Sequence, residues 1–335
     1  MKHVAVAVVI AVLLGACAAM AGPRRQASQD LDAAYAYDAS IPLEAMEDEP
    51  KVEDKFITQR VVFASVYGEW ISALLVAPVG VEGPPVMLDM HGLACSKDDA
   101  RNWAKIVGPL GIAVFAIDMP FHGERAQQGT DWQVFRDKNL GPICKRRTVL
   151  DNLRALDYLE TRPDLSVREV PLLGGSMGAV LGAIVAALEP RVAGACLISG
   201  SAAPGPRPGT YAQLSDPAKA DIDVTNFIGR ISPRPVLLMT GDADSGVPIA
   251  HAEALYAAAS EPKELFIYSG GHVPGLAIME ANGGAERIRQ WVTQVLSGSG
   301  TGGDLQDEED GGGGDDVGAG DGGRGFGGMS SGGGQ

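Results

Sequence analysis

The strongest chemical signal in this sequence is a serine, Ser176, set in the pentapeptide Gly174-Gly175-Ser176-Met177-Gly178. A short apolar run at residues 170–173 precedes it, and in residues 177–188 Leu181, Ile184, Val185 and Leu188 recur on one helical face. The serine therefore sits at a strand-to-helix turn, a nucleophile elbow, where small neighbours permit a sharp, strained backbone around an exposed hydroxyl. The helix opening beneath it offers free N–H groups that favour developing negative charge. A bare Gly-x-Ser-x-Gly occurs in many loops; its position between strand and helix carries the reading.

A serine hydroxyl is a poor nucleophile unless a base removes its proton. Of the five histidines, His3 lies at the extreme N-terminus, and His91 and His122 precede the serine. On this elbow the chain order is serine, acid, histidine, which leaves His251 and His272. His251 stands beside Ala252, Glu253 and Ala254 in a helical stretch and reads as a solvated helix face. His272 follows an apolar run in the loop Ser269-Gly270-Gly271-His272, whose glycines let the ring swing over a strand end. The acid that orients the imidazole should follow a strand between the two, and residues 236–240 run into Gly241-Asp242-Ala243-Asp244. Two carboxylates compete there. Asp244, farther into the loop, is the expected partner, and Asp242 would then cap the loop.

The oxyanion formed on attack needs two aimed N–H groups. Met177, after the nucleophile, supplies one. His91-Gly92-Leu93 ends the apolar run 86–90 and supplies the other, expected at Leu93 because Gly92 makes the tight turn. The stretch Asp118-Met119-Pro120-Phe121-His122-Gly123-Glu124-Arg125 ends the next strand at the same rim. It reads either as pocket lining, with His91, Gly92 and His122 near the acyl group, or as structure.

The elements that must position these residues alternate along the chain. Strands are expected at 60–64, 70–77, 86–90, 112–117, 170–173, 193–198, 236–239 and 265–268, and helices at 98–107, 146–160, 177–188, 249–258 and 285–296. Such alternation predicts an α/β domain over residues 35–296: a mainly parallel eight-stranded sheet with helices on both faces. The first two strands, joined around Tyr67-Gly68 without a helix, should form an antiparallel hairpin. A short cap is expected at about 202–231, with Pro204, Pro206 and Pro208 and few aromatics.

The formal net charge of -15 argues against a nucleic-acid partner, which would need clustered Lys and Arg. Part of that charge lies in residues 297–335, a Gly/Asp-rich tail expected to be disordered. No group of His, Cys or carboxylates has metal-ligand spacing and no phosphate loop occurs, so no metal or cofactor is implied.

Residues 1–17 read as an export signal, with Lys2 followed by the apolar run 4–14, too short to span a bilayer. Leu14-Gly15-Ala16-Cys17 resembles the bacterial lipobox, which implies lipidation at Cys17, and Ala18 implies sorting to the outer membrane. Residues 18–34 would be a tether between anchor and domain. In an oxidising compartment Cys95 and Cys144, both in loop-like stretches, form the one disulfide to consider, while Cys196 reads as a buried thiol.

Taken together, these residues resemble the α/β-hydrolase superfamily, and most closely its dienelactone-hydrolase and acetyl-xylan-esterase-like branch. The resemblance rests on Tyr37-Asp38, Pro42-Leu43, His91-Gly92, Asp118, His122-Gly123, Gly174 to Gly178, Pro233-Arg234-Pro235, Asp244 and His272. It implies a Ser176-His272-Asp244 triad, and the four residues from Asp244 to Pro248 match a spacing frequent in that superfamily. Dienelactone hydrolases carry a cysteine nucleophile; Ser176 here favours ester hydrolysis. Leu93, Ala94 and Cys95 stand where many relatives continue His-Gly with further glycines. The expected activity is an exported carboxylesterase acting on small or sugar-borne esters. Another acyl-transfer serine hydrolase, a peptidase or acyltransferase, and a non-catalytic surface lipoprotein are the alternatives.

Overall fold

The computed structural model describes residues 31–127, 130–202 and 217–298. The expected export signal with Cys17, nearly all of the acidic tail and the centre of the expected cap lie outside these residues. So does most of the tether; where its last residues are described, Leu31 rests against the core.

Apolar, β-branched runs form most of the strands. These are β1 (Met46–Glu47), β2 (Lys51–Glu53), β3 (Phe56–Ala64), β4 (Trp70–Pro78), β5 (Val86–Met90), β6 (Ala113–Ile117), β7 (Val170–Gly175), β8 (Val192–Ile198), β9 (Val236–Gly241) and β10 (Lys263–Tyr268). All ten join one sheet in the order β1-β3-β4-β6-β5-β7-β8-β9-β10, with β2 also on β3. The pairs from β6 through β10 are parallel. The β3-β4 hairpin is antiparallel, as expected, and β4 meets β6 antiparallel. Eight strands match the sequence-based expectation. The two additional ones, β1 and β2, are short and exposed and have no hydrophobic alternation to announce them.

Helices cover both faces. On one lie α2 (Leu140–Glu160) and α3 (Met177–Leu188), where Val149, Leu153, Leu156, Leu181 and Ile184 meet Val86, Leu88, Phe115 and Leu172. On the other lie α1 (Ala100–Val107) and α6 (Gly284–Leu296), where Trp103, Ile288 and Trp291 meet Met87, Val114 and Leu237. Successive side chains of a strand point to opposite faces, so β5 feeds both cores. Burying each such side chain contributes about 1.5–3 kcal/mol. Two further helices, α4 (Ile249–Ala258) and α5 (Leu276–Ala281), follow β9 and β10.

Helix α2 begins six residues before its expected start because Pro142 falls in the first turn, where a missing N–H costs nothing. Cys144 is consequently a buried helical residue and not a loop residue. It is a free thiol, as are the exposed Cys95 and the buried Cys196. No helix among the described residues is long and apolar enough to cross a membrane.

Candidate active site

Every parallel strand delivers its C-terminal end to one rim of the sheet, and the candidate residues collect there. Ser176 caps α3 directly after β7, with φ 55° and ψ -113°. Its N–H is tied to Ile198 O of β8 at 2.8 Å. The flanking glycines of the motif are required by close approach. A β-carbon at Gly178 would lie 1.8 Å from Met90 O, and one at Gly174 would lie 2.4 Å from Gly178 O. The turn can therefore close only with hydrogen at both positions.

Three separate loops then converge. His272, in the loop after β10, places Nε2 2.8 Å from Ser176 Oγ. Its Nδ1 lies 2.8 Å from Asp244 Oδ2, in the loop after β9. The other carboxylate oxygen of Asp244 accepts from the N–H groups of Gly246 and Val247, both at 2.7 Å. Burial opposes ionisation of Asp244, whose side chain is fully enclosed. The Val247 N–H, His272 and the Ser199 hydroxyl outweigh it and hold the carboxyl below the usual range. Asp242 is exposed and accepts from Gly270 N–H at 2.9 Å, so it braces the histidine loop without touching the ring.

The loop after β5 lies against the elbow: a β-carbon at Gly92 would be 3.5 Å from Ser176 Cβ. Gly92 O is held by His91 Nδ1 at 2.8 Å and by Cys95 N–H at 3.2 Å. Across a trans peptide the next N–H, that of Leu93, points the opposite way. It has no acceptor among the described residues. The first N–H groups of α3, Met177 included, are likewise beyond the helical ladder.

His91 and His122 do not line an open pocket. His91 is 1 % exposed, and its Nε2 accepts from Met119 N–H at 3.1 Å. Burial pushes it down to about 3, so it is a neutral brace between two loops. His122 is buried with its ring 5.0 Å from that of His91, and Nδ1 donates to Pro120 O at 2.9 Å. The rest of the stretch from Asp118 to Arg125 is an ionic knot. Buried Asp118 accepts from Lys97 Nζ at 2.7 Å and from Glu124 N–H at 2.9 Å, and Lys97 also reaches Glu124. Arg60 pairs with Glu124 at 2.6 Å from the antiparallel edge of the sheet. Of the two expected roles for this stretch, the structural one describes what its polar groups contact.

Some polar contacts at the rim were not anticipated. His251 is bonded to Ser201 at 3.0 Å and is not merely a solvated face. The Asx turn at Asp244-Ser245-Gly246 had a readable signal in its residue types. Ser199 had none. Backbone strain concentrates here too: Ala94, Phe121, Ser176, Ser199 and Val273 all have positive φ.

No protein-family model matches the chain. Among curated relatives it is 30 % identical over 164 residues to the uncharacterized protein YfhR of Salmonella typhimurium, covering 44 % of this chain and 55 % of the relative. It is 27 % identical over 135 residues to the putative hydrolase YtaP of Bacillus subtilis, covering 36 % and 45 %. The chain thus spans about half the length of the curated relatives it matches. Among solved structures, acetyl xylan esterase 1 from a Thermoanaerobacterium species is similar at TM-score 0.65 and 19 % identity, over 80 % of this chain and 93 % of that one. An acetyl xylan esterase from a Paenibacillus species is similar at TM-score 0.60 and 21 % identity, over 80 % and 92 %.

Proposed function

From the premise that the domain has the α/β-hydrolase fold, we propose that it is a serine carboxylesterase working through Ser176, His272 and Asp244. The observation that carries this reading is the continuous chain from Ser176 Oγ to His272 Nε2 and from His272 Nδ1 to Asp244 Oδ2, 2.8 Å at each step. Ser176 Oγ attacks the ester carbonyl carbon as His272 Nε2 takes its proton, and Asp244 stabilises the imidazolium. The carbonyl oxygen becomes an oxyanion that accepts from the N–H groups of Leu93 and Met177. Collapse expels the alcohol, which receives the proton from His272, and leaves an acyl group on Ser176. Water, deprotonated by the same nitrogen, attacks that acyl group. The carboxylic acid departs and the serine is restored.

The substrate class follows the acetyl xylan esterases named above: a small acyl group, acetyl first, on a sugar or other small alcohol. Export and tethering to the cell envelope through lipidation at Cys17 belong to the same reading. The test is hydrolysis of acetyl, butyryl and long-chain acyl esters by the purified chain. Acetyl esters should turn over fastest, and Ser176→Ala should abolish the activity. Undiminished turnover by Ser176→Ala would overturn the assignment.

A further inference from the structure

Ser199 directly follows β8, the strand between the one that ends at Ser176 and the one that leads to Asp244. It is 1 % exposed, and its φ of 54° lies in the left-handed region. A residue with a β-carbon is strained in such a conformation, and glycine would not be. What serine adds over glycine is a hydroxyl, and its surroundings are specific. The Ser199 hydroxyl faces Asp244 and helps to hold its carboxyl below the usual range. It accepts from Val273 N–H, the residue after His272, at 3.4 Å. It also lies 3.4 Å from the Tyr268 hydroxyl, which donates to Gly271 O, the residue before His272. A hydroxyl has one proton and two lone pairs; here a lone pair takes the Val273 N–H, and the proton is left to turn toward the Asp244 side.

We infer that Ser199 is a positioning residue for the acid and base together: its oxygen fixes Asp244 and the loop bearing His272 relative to one another. The inference rests on the triad reading above. A serine that only knitted β8 to the neighbouring loop would act through stability, whereas a positioning serine acts through turnover. Two variants of the full chain separate these roles. Ser199→Ala removes the hydroxyl and keeps the backbone strain; Ser199→Gly removes both.

The measurements are Tm, KM and kcat on a soluble acetate ester, with fluorophosphonate labelling of Ser176 as an independent readout. Ser199→Gly should melt at or above the parental temperature. In both variants kcat should fall by roughly tenfold to a hundredfold with KM within about twofold, and labelling should slow in proportion. Parental kcat in Ser199→Gly overturns the inference, as does a loss of kcat in Ser199→Ala that disappears when the strain is relieved. A parental chain that neither turns over esters nor labels at Ser176 overturns the triad reading, and this inference with it.

Discussion

A methyl group on Gly178 would stand 1.8 Å from the carbonyl oxygen of Met90 and 2.7 Å from that of His91. The helix that carries the elbow is thus pressed onto the end of the strand that leads into the loop bearing Leu93, and neither can shift alone. Gly178→Ala should therefore destabilise the domain by about 1–3 kcal/mol through overpacking and lower turnover together with Tm. Thermal denaturation checks this; an unchanged melting temperature would mean that the contact yields freely.

Ser176→Ala and His272→Ala should each lower ester turnover by on the order of 10⁴-fold, because the two side chains act as one unit. Neither side chain is fully buried, so Tm should move little. Steady-state kinetics beside a melting curve would detect the opposite pattern, in which activity falls only as far as stability does.

The two loop carboxylates should behave differently. Asp244→Asn can present the wrong hydrogen-bonding partner to His272 Nδ1, fixing the wrong imidazole tautomer, and should approach the severity of losing the histidine. Asp242→Asn keeps an oxygen for Gly270 N–H and should be mild. A dead Asp242→Asn beside an active Asp244→Asn would reverse the assignment.

Asp89 makes a pH prediction. Both its oxygens are buried near the end of β5 without a partner among the described residues, and burial, then the charge of Asp99, raises its pKa well above the ordinary carboxyl value. The unfolded chain ionises this group first as pH rises. Between the unfolded and folded pKa values it therefore removes about 1.4 kcal/mol of stability per pH unit, and below the unfolded value it removes none. Asp89→Asn should accordingly gain stability relative to the parent at pH 8 and not at pH 4. Urea denaturation at the two pH values measures this, and a constant difference would refute it.

Export and tethering predict a location. Cells expressing the full chain should carry it in the detergent phase of a membrane extract, and Cys17→Ala should move it to the aqueous phase. Identical partitioning of the two proteins would remove the lipobox reading.

Much of the fold was legible because most of its long strands are apolar runs buried on both faces, as Val86 to Met90 are. Strands β1 and β2 were not legible, since Met46, Glu47 and Lys51 to Glu53 are all exposed and pair only because β3 offers an edge. The start of α2 was hidden by Gly141 and Pro142, which read as a loop in isolation. At the site, Ser176, Asp244 and His272 could be singled out because glycines and strand ends surround them. Ser199 could not: a serine after an apolar run looks like any loop residue until Asp244 and Val273, distant in sequence, are brought to it. The ionic knot around Asp118 was hidden for the same reason, since Arg60 and Lys97 come from other strands and loops.

Strands β8 and β9 are parallel neighbours, paired from Ala195 with Val236 to Ile198 with Met239, yet a long connection separates them in the chain. Ser176, Leu93 and Met177 all precede that connection, and Asp244 and His272 both follow it. A polypeptide divided within residues 203–216 would leave the proposed nucleophile on one fragment and its proposed acid and base on the other. Neither fragment would contain a working set, and esterase activity would return only when the two halves rebuilt the β8-β9 ladder. On the proposed reading the domain could serve as a split reporter, in which colour from a chromogenic ester would count reassembly events between two separately expressed pieces.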